Sequence, residues 1–315
     1  MTNHFRKFLH GLADTGAFFG VLFTVAGLFG RYHHFIEIFT HIKLPLAICF
    51  AGYIGLKLIL KSKKAALLAV IPLLINAAPP MMLLLPQHRQ KKPHDPVSLK
   101  ILQANLLSSN RESGKFLSLV DKIDPDVIVL QEINKRWQVD LRVLKKRYPV
   151  FAEHPREDNF GAAIFCRQTN AVATIEFLSD PDMLPLSRVV ISNGSKELSI
   201  FGVHPLAPIT ANFWKWRNDY TLELAGKLAN ESGPVVVTGD LNNTPWAHYY
   251  KQFVKISGLL DASQGRGPLP TWPAGSVIKL PLDHCFHSEE VIIKKRRRGP
   301  DIGSDHYPLI IEAVY

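Results

Sequence analysis

Three long apolar stretches in the first third of the chain constrain its fold more than any other sequence feature. They cover Leu12–Gly30, Leu44–Leu60 and Ala65–Pro86. A helix of about 20 apolar residues crosses a hydrocarbon core of about 30 Å, because each residue adds about 1.5 Å. Each stretch has 17 to 22 residues, so the sequence predicts three transmembrane helices within residues 1–86.

These stretches have two other interpretations. Arg6 and Lys7, ahead of the first stretch, also fit the basic start of a cleaved signal peptide. The second and third stretches are also compatible with buried helices of a soluble core. Basic residues lie beside all three stretches, however, and only short loops separate them. This arrangement is typical of a multi-span membrane anchor, which is the interpretation we favour.

The basic charge of the chain belongs mainly to this first third. The formal net charge is +10, yet residues 1–94 contain 11 Lys and Arg against two acidic residues. Residues 95–315 hold the other 26 basic and 25 acidic residues, so their net charge is only +1. A basic isoelectric point indicates nucleic-acid binding only when the charge belongs to the binding domain. With 47% hydrophobic residues the chain is also too apolar for a disordered protein.

Loop charges predict the orientation in the membrane, because basic residues accumulate on the cytoplasmic side. Five lie on the side of the N-terminus, namely Arg6, Lys7, Lys61, Lys63 and Lys64. Two lie on the opposite side, namely Arg31 and Lys43. This count predicts that the N-terminus lies in the cytoplasm and that the C-terminal domain lies on the outer side of the membrane. Counting Arg89, Lys91 and Lys92, which lead into the large domain, makes the two sides equal.

The composition of the rest of the chain indicates a linker and one further domain. Residues 87–97 are polar, charged and contain prolines, which predicts a linker between the anchor (1–86) and a domain of residues 98–315. In that domain short apolar runs of strand type greatly outnumber helical stretches. A doubly wound sheet would have a helix after nearly every strand, so this pattern predicts an α/β sandwich.

Polar side chains stand where the predicted strands end or begin. They are Asn105, Glu132, His204, Asp240 with Asn242, Asp283, and Asp305 with His306. Strand ends of stacked sheets tend to meet at one mouth of the core. Carboxylates and amides together suit a hard divalent ion such as Mg²⁺ or Mn²⁺. Zinc fits poorly, because the sequence has neither a paired-His motif nor a cysteine pair with the spacing of a zinc site.

Each of these residues also has an ordinary explanation when taken alone. Asn105 and the segments Gly239–Asn242 and Ser304–His306 contain typical turn or cap formers. Glu132 is compatible with a plain strand-end carboxylate, and His204 with a half-buried histidine. Their common position beside strands, in this order along the chain, favours a functional site.

The motifs around these residues form a recognisable series: QAN, DPDVIVLQE, GVH, VVVTGDLNNTP, LDH and GSDHYPL. The series resembles the endonuclease/exonuclease/phosphatase superfamily, which includes DNase I-like nucleases, neutral sphingomyelinases, inositol polyphosphate 5-phosphatases and AP endonucleases. The resemblance covers residues 98–315. It implies a DNase I-like four-layer α/β/β/α sandwich and divalent-metal-dependent hydrolysis of phosphoester bonds. Three membrane spans ahead of the domain resemble a bacterial membrane-anchored branch, which implies an integral protein of a bacterial inner membrane with its catalytic domain on the outer, periplasmic side.

The resemblance also implies roles for individual residues. Glu132 would be the principal metal carboxylate, helped by Asn105, and Asp305 would complete the metal site. Asp240 would orient or deprotonate the attacking water.

On the phosphate side, Asn242 would hold that water or a phosphate oxygen. His306 would contact the phosphate and be oriented by Asp283 within hydrogen-bond distance, with His204 as a second phosphate-side histidine. Two departures place the chain away from abasic-site repair. Leu107 stands where AP endonucleases carry an acidic residue, and His204 stands where they carry tyrosine.

A dense basic run, residues 294–298, lies shortly before Asp305. Lys294, Arg296 and Arg298 are candidates for binding an anionic substrate. The alternative is a solvated edge strand that uses charge against aggregation.

The sequence therefore predicts a membrane-anchored Mg²⁺- or Mn²⁺-dependent enzyme that hydrolyses phosphoester or pyrophosphate bonds. The expected partners are the bilayer and a phosphorylated substrate, with a lipid-linked substrate favoured over nucleic acid; no obligate protein partner is evident. A tethered nuclease and an inactive binding or scaffold module are the alternatives. The complete set of candidate residues argues against the inactive module.

Overall fold

The computed structural model describes residues 3–86, 95–179, 183–194 and 196–315. The first of these segments is helical. Its helices are α1 (Asn3–Leu28), α2 (His34–His41), α3 (Lys43–Ile59), α4 (Lys63–Leu68) and α5 (Val70–Met82), with a 3₁₀ turn at Gly30–Tyr32. A small apolar cluster that includes Leu46, Phe50 and Ala69 joins these helices.

Two of these helical segments, His4–Leu28 and Lys63–Met82, are long and apolar enough to cross a membrane. Helices α2 and α3 meet at an angle of 55° and add a third span only if the bent pair counts as one. Pro45, in the first turn of α3, explains the break, because its ring would clash with the His41 carbonyl in a continuous helix. The three predicted spans thus correspond to two helices and one bent pair.

The remaining chain forms two six-stranded sheets. The strands of the first sheet, in spatial order, are β11 (Ile292–Arg298), β12 (Leu309–Val314), β1 (Ser98–Asn105), β2 (Val127–Gln131), β4 (Ala162–Cys166) and β3 (Val150–His154). Those of the second are β5 (Ala171–Phe177), β6 (Pro185–Asn193), β7 (Lys196–Val203), β8 (Val235–Asp240), β10 (Asp283–His287) and β9 (Leu260–Asp261).

Three apolar cores separate four layers. Residues such as Ile101, Val129 and Ile200 fill the space between the two sheets. On the outer face of the first sheet lie α6 (Ser113–Ile123) and α7 (Lys135–Asp140), and on that of the second lie α8 (Ala211–Ala229) and α9 (His248–Ser257). Both faces of each sheet are buried, which explains why the sequences of the central strands are continuous apolar runs. The α/β/β/α sandwich predicted from the motif series is confirmed.

Strand register brings the predicted functional residues to one edge. The parallel pair β1–β2 aligns Asn105 with Gln131, directly before Glu132. The parallel pair β7–β8 aligns Val203 with Gly239, and the antiparallel β10 places Asp283 opposite Asp240. The carboxyl ends of β1, β2, β7 and β8 and the amino end of β10 therefore lie together at one edge of the two sheets, which we call the mouth.

The structure also contains elements that the strand and helix patterns did not predict, namely β3, β5, β9 and α9. The amphipathic pattern of Trp137–Lys146 predicts one continuous helix, but the structure has α7 followed by a 3₁₀ turn at Leu141–Lys146. Most of the predicted linker, residues 87–94, lies outside the described residues.

Candidate active site

The centre of the mouth is Asp240, whose side chain is almost completely buried at the end of β8. Its Oδ2 atom lies 3.5 Å from Nε2 of His204 and 3.5 Å from Nε2 of His306. Its Oδ1 atom accepts a hydrogen bond of 2.8 Å from the backbone N–H of Asn242. One carboxylate is thus held between two imidazoles and the turn that follows its own strand.

His306 is oriented from behind by a second buried carboxylate. Its Nδ1 atom lies 2.8 Å from Oδ2 of Asp283, the contact distance that the motif series predicts. Gln103 on the facing strand β1 donates a hydrogen bond of 2.9 Å to the other oxygen of Asp283. A carboxylate held in this way fixes the ring orientation and leaves Nε2 of His306 facing Asp240.

Glu132 and Asn105 meet beside Asp240. The Asn105 amide donates to Oε1 of Glu132 at 2.8 Å and to Oδ2 of Asp240 at 3.3 Å. Glu132 adopts a left-handed backbone conformation with φ of 58°, and Asn242 does so with φ of 49°. Such strain in a residue other than glycine is found most often at functional sites, where the surrounding structure enforces it.

The turn after β8 requires the glycine of its Gly-Asp-Leu-Asn motif. Gly239 has φ of 157°, and a Cβ atom there would lie 2.0 Å from the carbonyl oxygen of Val203. The side chain of Asn242 donates to the carbonyl of Pro205 at 3.0 Å, which ties this turn to the segment after His204. The motif therefore lets β7 and β8 approach closely enough for both strand ends to face one cavity.

Asp305 completes the cluster from the loop before β12. Its Oδ2 atom accepts a hydrogen bond of 2.9 Å from the indole N–H of Trp272. Its Oδ1 atom is buried and has no hydrogen-bond partner among the described residues. Ser304 fixes the loop by donating to the Asn105 carbonyl at 2.8 Å.

Burial and neighbouring charges set the protonation of the cluster. Burial opposes the charged form of His306, but the carboxylates of Asp283 and Asp240 outweigh it and raise its pKa to about 10. For His204 the opposition of burial is likewise outweighed, and the hydrogen bond and charge of Asp240 raise its pKa. Burial would raise the pKa of Asp240, yet the two imidazoles lower it. At neutral pH the Asp240 carboxylate therefore lies beside the imidazolium of His306, and its charge also favours the protonated form of His204.

Glu132 behaves in the opposite way. Burial raises the pKa of Glu132 from its ordinary value, and the nearby charges of Asp240 and Asp305 add to this effect, against opposing contributions from His204 and Asn105. A metal cation beside Glu132 would relieve the mutual repulsion of the carboxylates of Glu132, Asp240 and Asp305.

The donor set at this position fits a magnesium-type ion. Within residues 3–86, 95–179, 183–194 and 196–315, no three His, Cys, Asp or Glu side chains form a preassembled metal cage. Mg²⁺ does not need one, because it usually binds one or two carboxylates and otherwise waters and substrate phosphates. Glu132, Asn105 and the unpaired Oδ1 of Asp305 supply such oxygens.

The cluster lies in a cavity of about 490 Å³. Its lining includes Glu132, His204, Asp240, Asn242, Asp305 and His306. The basic candidates from β11 do not line it. Lys294 lies in a separate cavity beside Ser98, Arg296 bonds the Gly267 carbonyl, and Arg298 lies in a neighbouring groove.

The N-terminal helices contribute directly to this site, which sequence reasoning missed. Arg217 of α8 is fully buried and donates two hydrogen bonds, of 2.8 and 2.6 Å, to the carboxylate of Glu37 in α2. A further nitrogen of Arg217 donates to the backbone carbonyl of Asn242 at 3.1 Å. His41 lines the cavity and lies 2.9 Å from the Thr244 hydroxyl. One signal was available, since Glu37 is one of only two acidic residues in the first 94.

Similar folds occur among solved structures. Danio rerio TDP2 complexed with a single-strand DNA product has 17% identity and a TM-score of 0.57, and the match covers 69% of this chain and 98% of that one. The human nocturnin catalytic domain with bound sulfate has 18% identity and a TM-score of 0.54, covering 70% and 96%. An endonuclease/exonuclease/phosphatase family protein from Bacteroides thetaiotaomicron has 19% identity and a TM-score of 0.55, covering 70% and 96%. At these identities the likeness shows the fold alone.

No curated protein matches the chain. The sequence profile of the endonuclease/exonuclease/phosphatase family, by contrast, matches residues 102–306, about two thirds of the chain. The match runs from β1 to His306 and includes the whole cluster around Asp240. The chain therefore belongs to the endonuclease/exonuclease/phosphatase family.

Proposed function

We propose that the chain is a membrane-anchored, divalent-metal-dependent hydrolase that cleaves phosphoester or pyrophosphate bonds. The observation that carries the proposal is the buried Asp240 carboxylate between His204 and His306, with Asp283 behind His306. Phosphoryl transfer requires an aligned nucleophile and positive charge at the phosphoryl oxygens. The cluster provides both on one side of a cavity.

Each residue has a role that follows from its protonation. The lowered pKa of Asp240 keeps it ionised and makes it a weak base, so it acts mainly by accepting a hydrogen bond from the attacking water. The raised pKa of His306 keeps its ring protonated, so its Nε2–H donates to a phosphate oxygen. His204 and the amide of Asn242 hold the remaining oxygens.

Glu132, Asn105 and Asp305 would hold Mg²⁺ or Mn²⁺. When bound, the ion supplies charge that stabilises the phosphoryl oxygens in the transition state. Asn105 also hydrogen-bonds both Glu132 and Asp240, so the same amide fixes the metal carboxylate relative to the water-orienting carboxylate.

The apolar N-terminal helices support the membrane location. We assign residues 1–86 to the anchor, 87–97 to a linker and 98–315 to the catalytic domain, which faces the periplasmic side of a bacterial inner membrane. A lipid-linked substrate is favoured, because the catalytic domain is nearly neutral and α2 brings the anchor into the wall of the cavity.

Nucleic acid is the second candidate substrate. Its support is the likeness to Danio rerio TDP2, which was solved with a single-strand DNA product. A nonspecific nuclease neutralises many phosphates with basic side chains. Strand β11 is a dense basic segment, but its Lys294 lies away from the cavity.

A substrate panel on the purified full-length protein tests the proposal. Rates of hydrolysis are measured in the presence of Mg²⁺ for four substrates: phosphatidic acid, a lipid pyrophosphate, single-stranded DNA and bis(p-nitrophenyl) phosphate. We expect hydrolysis of the generic diester and of a lipid substrate. Asp240→Asn should reduce the rate by about 10²-fold or more, as loss of a principal catalytic group does. The control Asp219→Asn, on the exposed face of α8, should leave it unchanged. A fully active Asp240→Asn protein would overturn the proposal.

A further inference from the structure

A second cavity lies between the anchor and the catalytic domain. Its volume is about 420 Å³. One wall is the start of α3, with Leu44, Pro45 and Ile48, and the other is a domain loop with Pro270, Val277 and Ile278. We call this cavity the α3 groove. Its lining is mostly apolar, unlike that of the active-site cavity with its cluster of ionisable groups.

The α3 groove and the active-site cavity share one loop as their common wall. Trp272 and Leu280 line the active-site cavity, whereas the adjacent Pro270 and Lys279 line the groove. The backbone N–H of Trp272 donates to the carbonyl of Leu280 at 3.1 Å, which closes the base of this loop. Val277 therefore lies at the tip of a loop whose base is closed by this hydrogen bond. Residues that line the two cavities are separated by only one or two positions along the chain.

Both walls of the groove expose large apolar side chains. Val277 is 99% exposed, Ile278 60% and Ile48 66%. Single exposed apolar residues are common, but a continuous exposed patch marks an interaction surface. Ile48 belongs to the bent pair of α2 and α3, which is long and apolar enough for a membrane span only when the two helices count as one. The loop tip therefore lies beside a helix that we assign to the anchor.

Two cations border this apolar patch. Lys279 and Arg298 both line the groove. The Arg298 guanidinium lies 4.3 Å from the ring centroid of Tyr307, directly after His306. Positive charge next to an apolar groove complements an anionic head group that carries an apolar chain.

We propose that the α3 groove binds the hydrocarbon chain of an amphiphilic phosphoester while its phosphate occupies the active-site cavity. This inference rests on the proposed function and names the substrate class as a lipid phosphoester. The chain enters from the bilayer beside α3, and the shared loop passes between chain and phosphate. A nucleic acid carries no alkyl chain that could occupy this groove.

Two p-nitrophenyl phosphodiesters that differ only in their second ester group, methyl or hexyl, test the proposal. Full-length protein is held in an amphipathic polymer, because the alkyl chains of a detergent would compete for the groove. Each buried CH₂ contributes about 0.8 kcal/mol, so two buried CH₂ groups already give about a tenfold preference. We expect kcat/KM for the hexyl ester to exceed that for the methyl ester by at least about tenfold.

A variant that fills the groove distinguishes binding of the alkyl chain from catalysis. Ile48→Trp should abolish the hexyl preference and leave kcat/KM for the methyl ester unchanged. Ile59→Trp is the matched control, because Ile59 is exposed at the opposite end of α3 and should retain the preference. Equal rates for the two esters in the wild type, or a preference that survives Ile48→Trp, would overturn the proposal.

Failure of the proposed function has a different signature, namely no hydrolysis of either ester. The affinities of hexyl phosphate and methyl phosphate, measured by calorimetry, then still test whether the groove binds the alkyl chain. Tighter binding of hexyl phosphate that is lost in Ile48→Trp supports it, and equal binding overturns it. A dinucleotide that is cleaved faster than the hexyl ester, with no response to Ile48→Trp, also overturns it.

Discussion

The ion pair of Asp283 and His306 shows how single residues shape this site. Both side chains are buried, and each has a further partner, since Gln103 holds Asp283 while Nε2 of His306 faces Asp240. Removing Asp283 leaves a buried imidazolium with less compensation. The pair therefore affects stability as well as chemistry.

This pair predicts a defined pH dependence of stability. Folding raises the pKa of His306 from about 6.5 to about 10, so the folded state binds the proton more tightly than the unfolded state. The resulting stabilisation is fully present below about pH 6.5 and is lost as the pH rises towards 10. Thermal unfolding of EDTA-treated protein across this window should show Tm falling more steeply for the wild type than for Asp283→Asn. Parallel curves for the two proteins would contradict the assignment.

Sequence reasoning predicted the residues that stand at strand ends and missed those that hold them. Asp283 and His306 lie in distinctive motifs, and only a mouth shared by both sheets brings them together. Gln103 belongs to the QAN motif, but only Asn105 of that motif was predicted to be functional, and Trp272 belongs to no motif. A polar residue inside a strand and an aromatic residue in a loop have many ordinary explanations. Their roles depend on contacts across 180 and 33 positions, which no local pattern encodes.

At the scale of elements, α2 links the anchor to the catalytic turn. Its Glu37 binds the fully buried Arg217, which also supports the Asn242 carbonyl. Breaking a buried pair by removing one partner costs about 3–5 kcal/mol, because an uncompensated charge remains. The N-terminal helices therefore contribute to the order of the active site, in addition to the anchoring that we propose for them.

Glu37→Ala should lower both stability and kcat. We expect the free energy of unfolding to fall by a few kcal/mol, and kcat to fall because the turn at Asn242 loses its support. Asp121→Ala is a matched control, since its ion pair with Arg147 lies on the surface, where such pairs contribute little. Chemical denaturation and the diester assay measure both effects. If Glu37→Ala behaves like the control, α2 has no positioning role.

The elements that sequence patterns missed have weak signals for physical reasons. Strand β5 alternates between half-buried and exposed positions, without a continuous apolar run. Strand β9 has only two residues, too few for any periodicity. Helix α7 ends at Asp140 and continues as a 3₁₀ turn, although the amphipathic pattern extends through both.

At the scale of the whole molecule, the helices predict opposite locations for the two chain ends. Arg6, near the N-terminus, donates a hydrogen bond to the Leu60 carbonyl between α3 and α4. Gln264 of the catalytic domain donates to carbonyls of Met82 and Leu85, at the far end of α5. If α1, the bent pair of α2 and α3, and the segment Lys63–Met82 each cross the membrane, three crossings separate Arg6 from the domain.

A fusion experiment tests this topology. Alkaline phosphatase joined after Tyr315 should be active and green fluorescent protein at the same position should be dark, because both report a periplasmic location. The reverse result would show that Arg89, Lys91 and Lys92 determine the orientation.

The central claim is that the cluster around Asp240 hydrolyses phosphoesters with a divalent metal. The most direct measurement is the hydrolysis of bis(p-nitrophenyl) phosphate by purified full-length protein during titration of free Mg²⁺ or Mn²⁺ after EDTA treatment. We expect no activity in EDTA, saturable recovery with either ion, and for Glu132→Gln a weaker recovery that requires a higher metal concentration. Activity that persists in EDTA, or a metal titration that Glu132→Gln leaves unchanged, would contradict it.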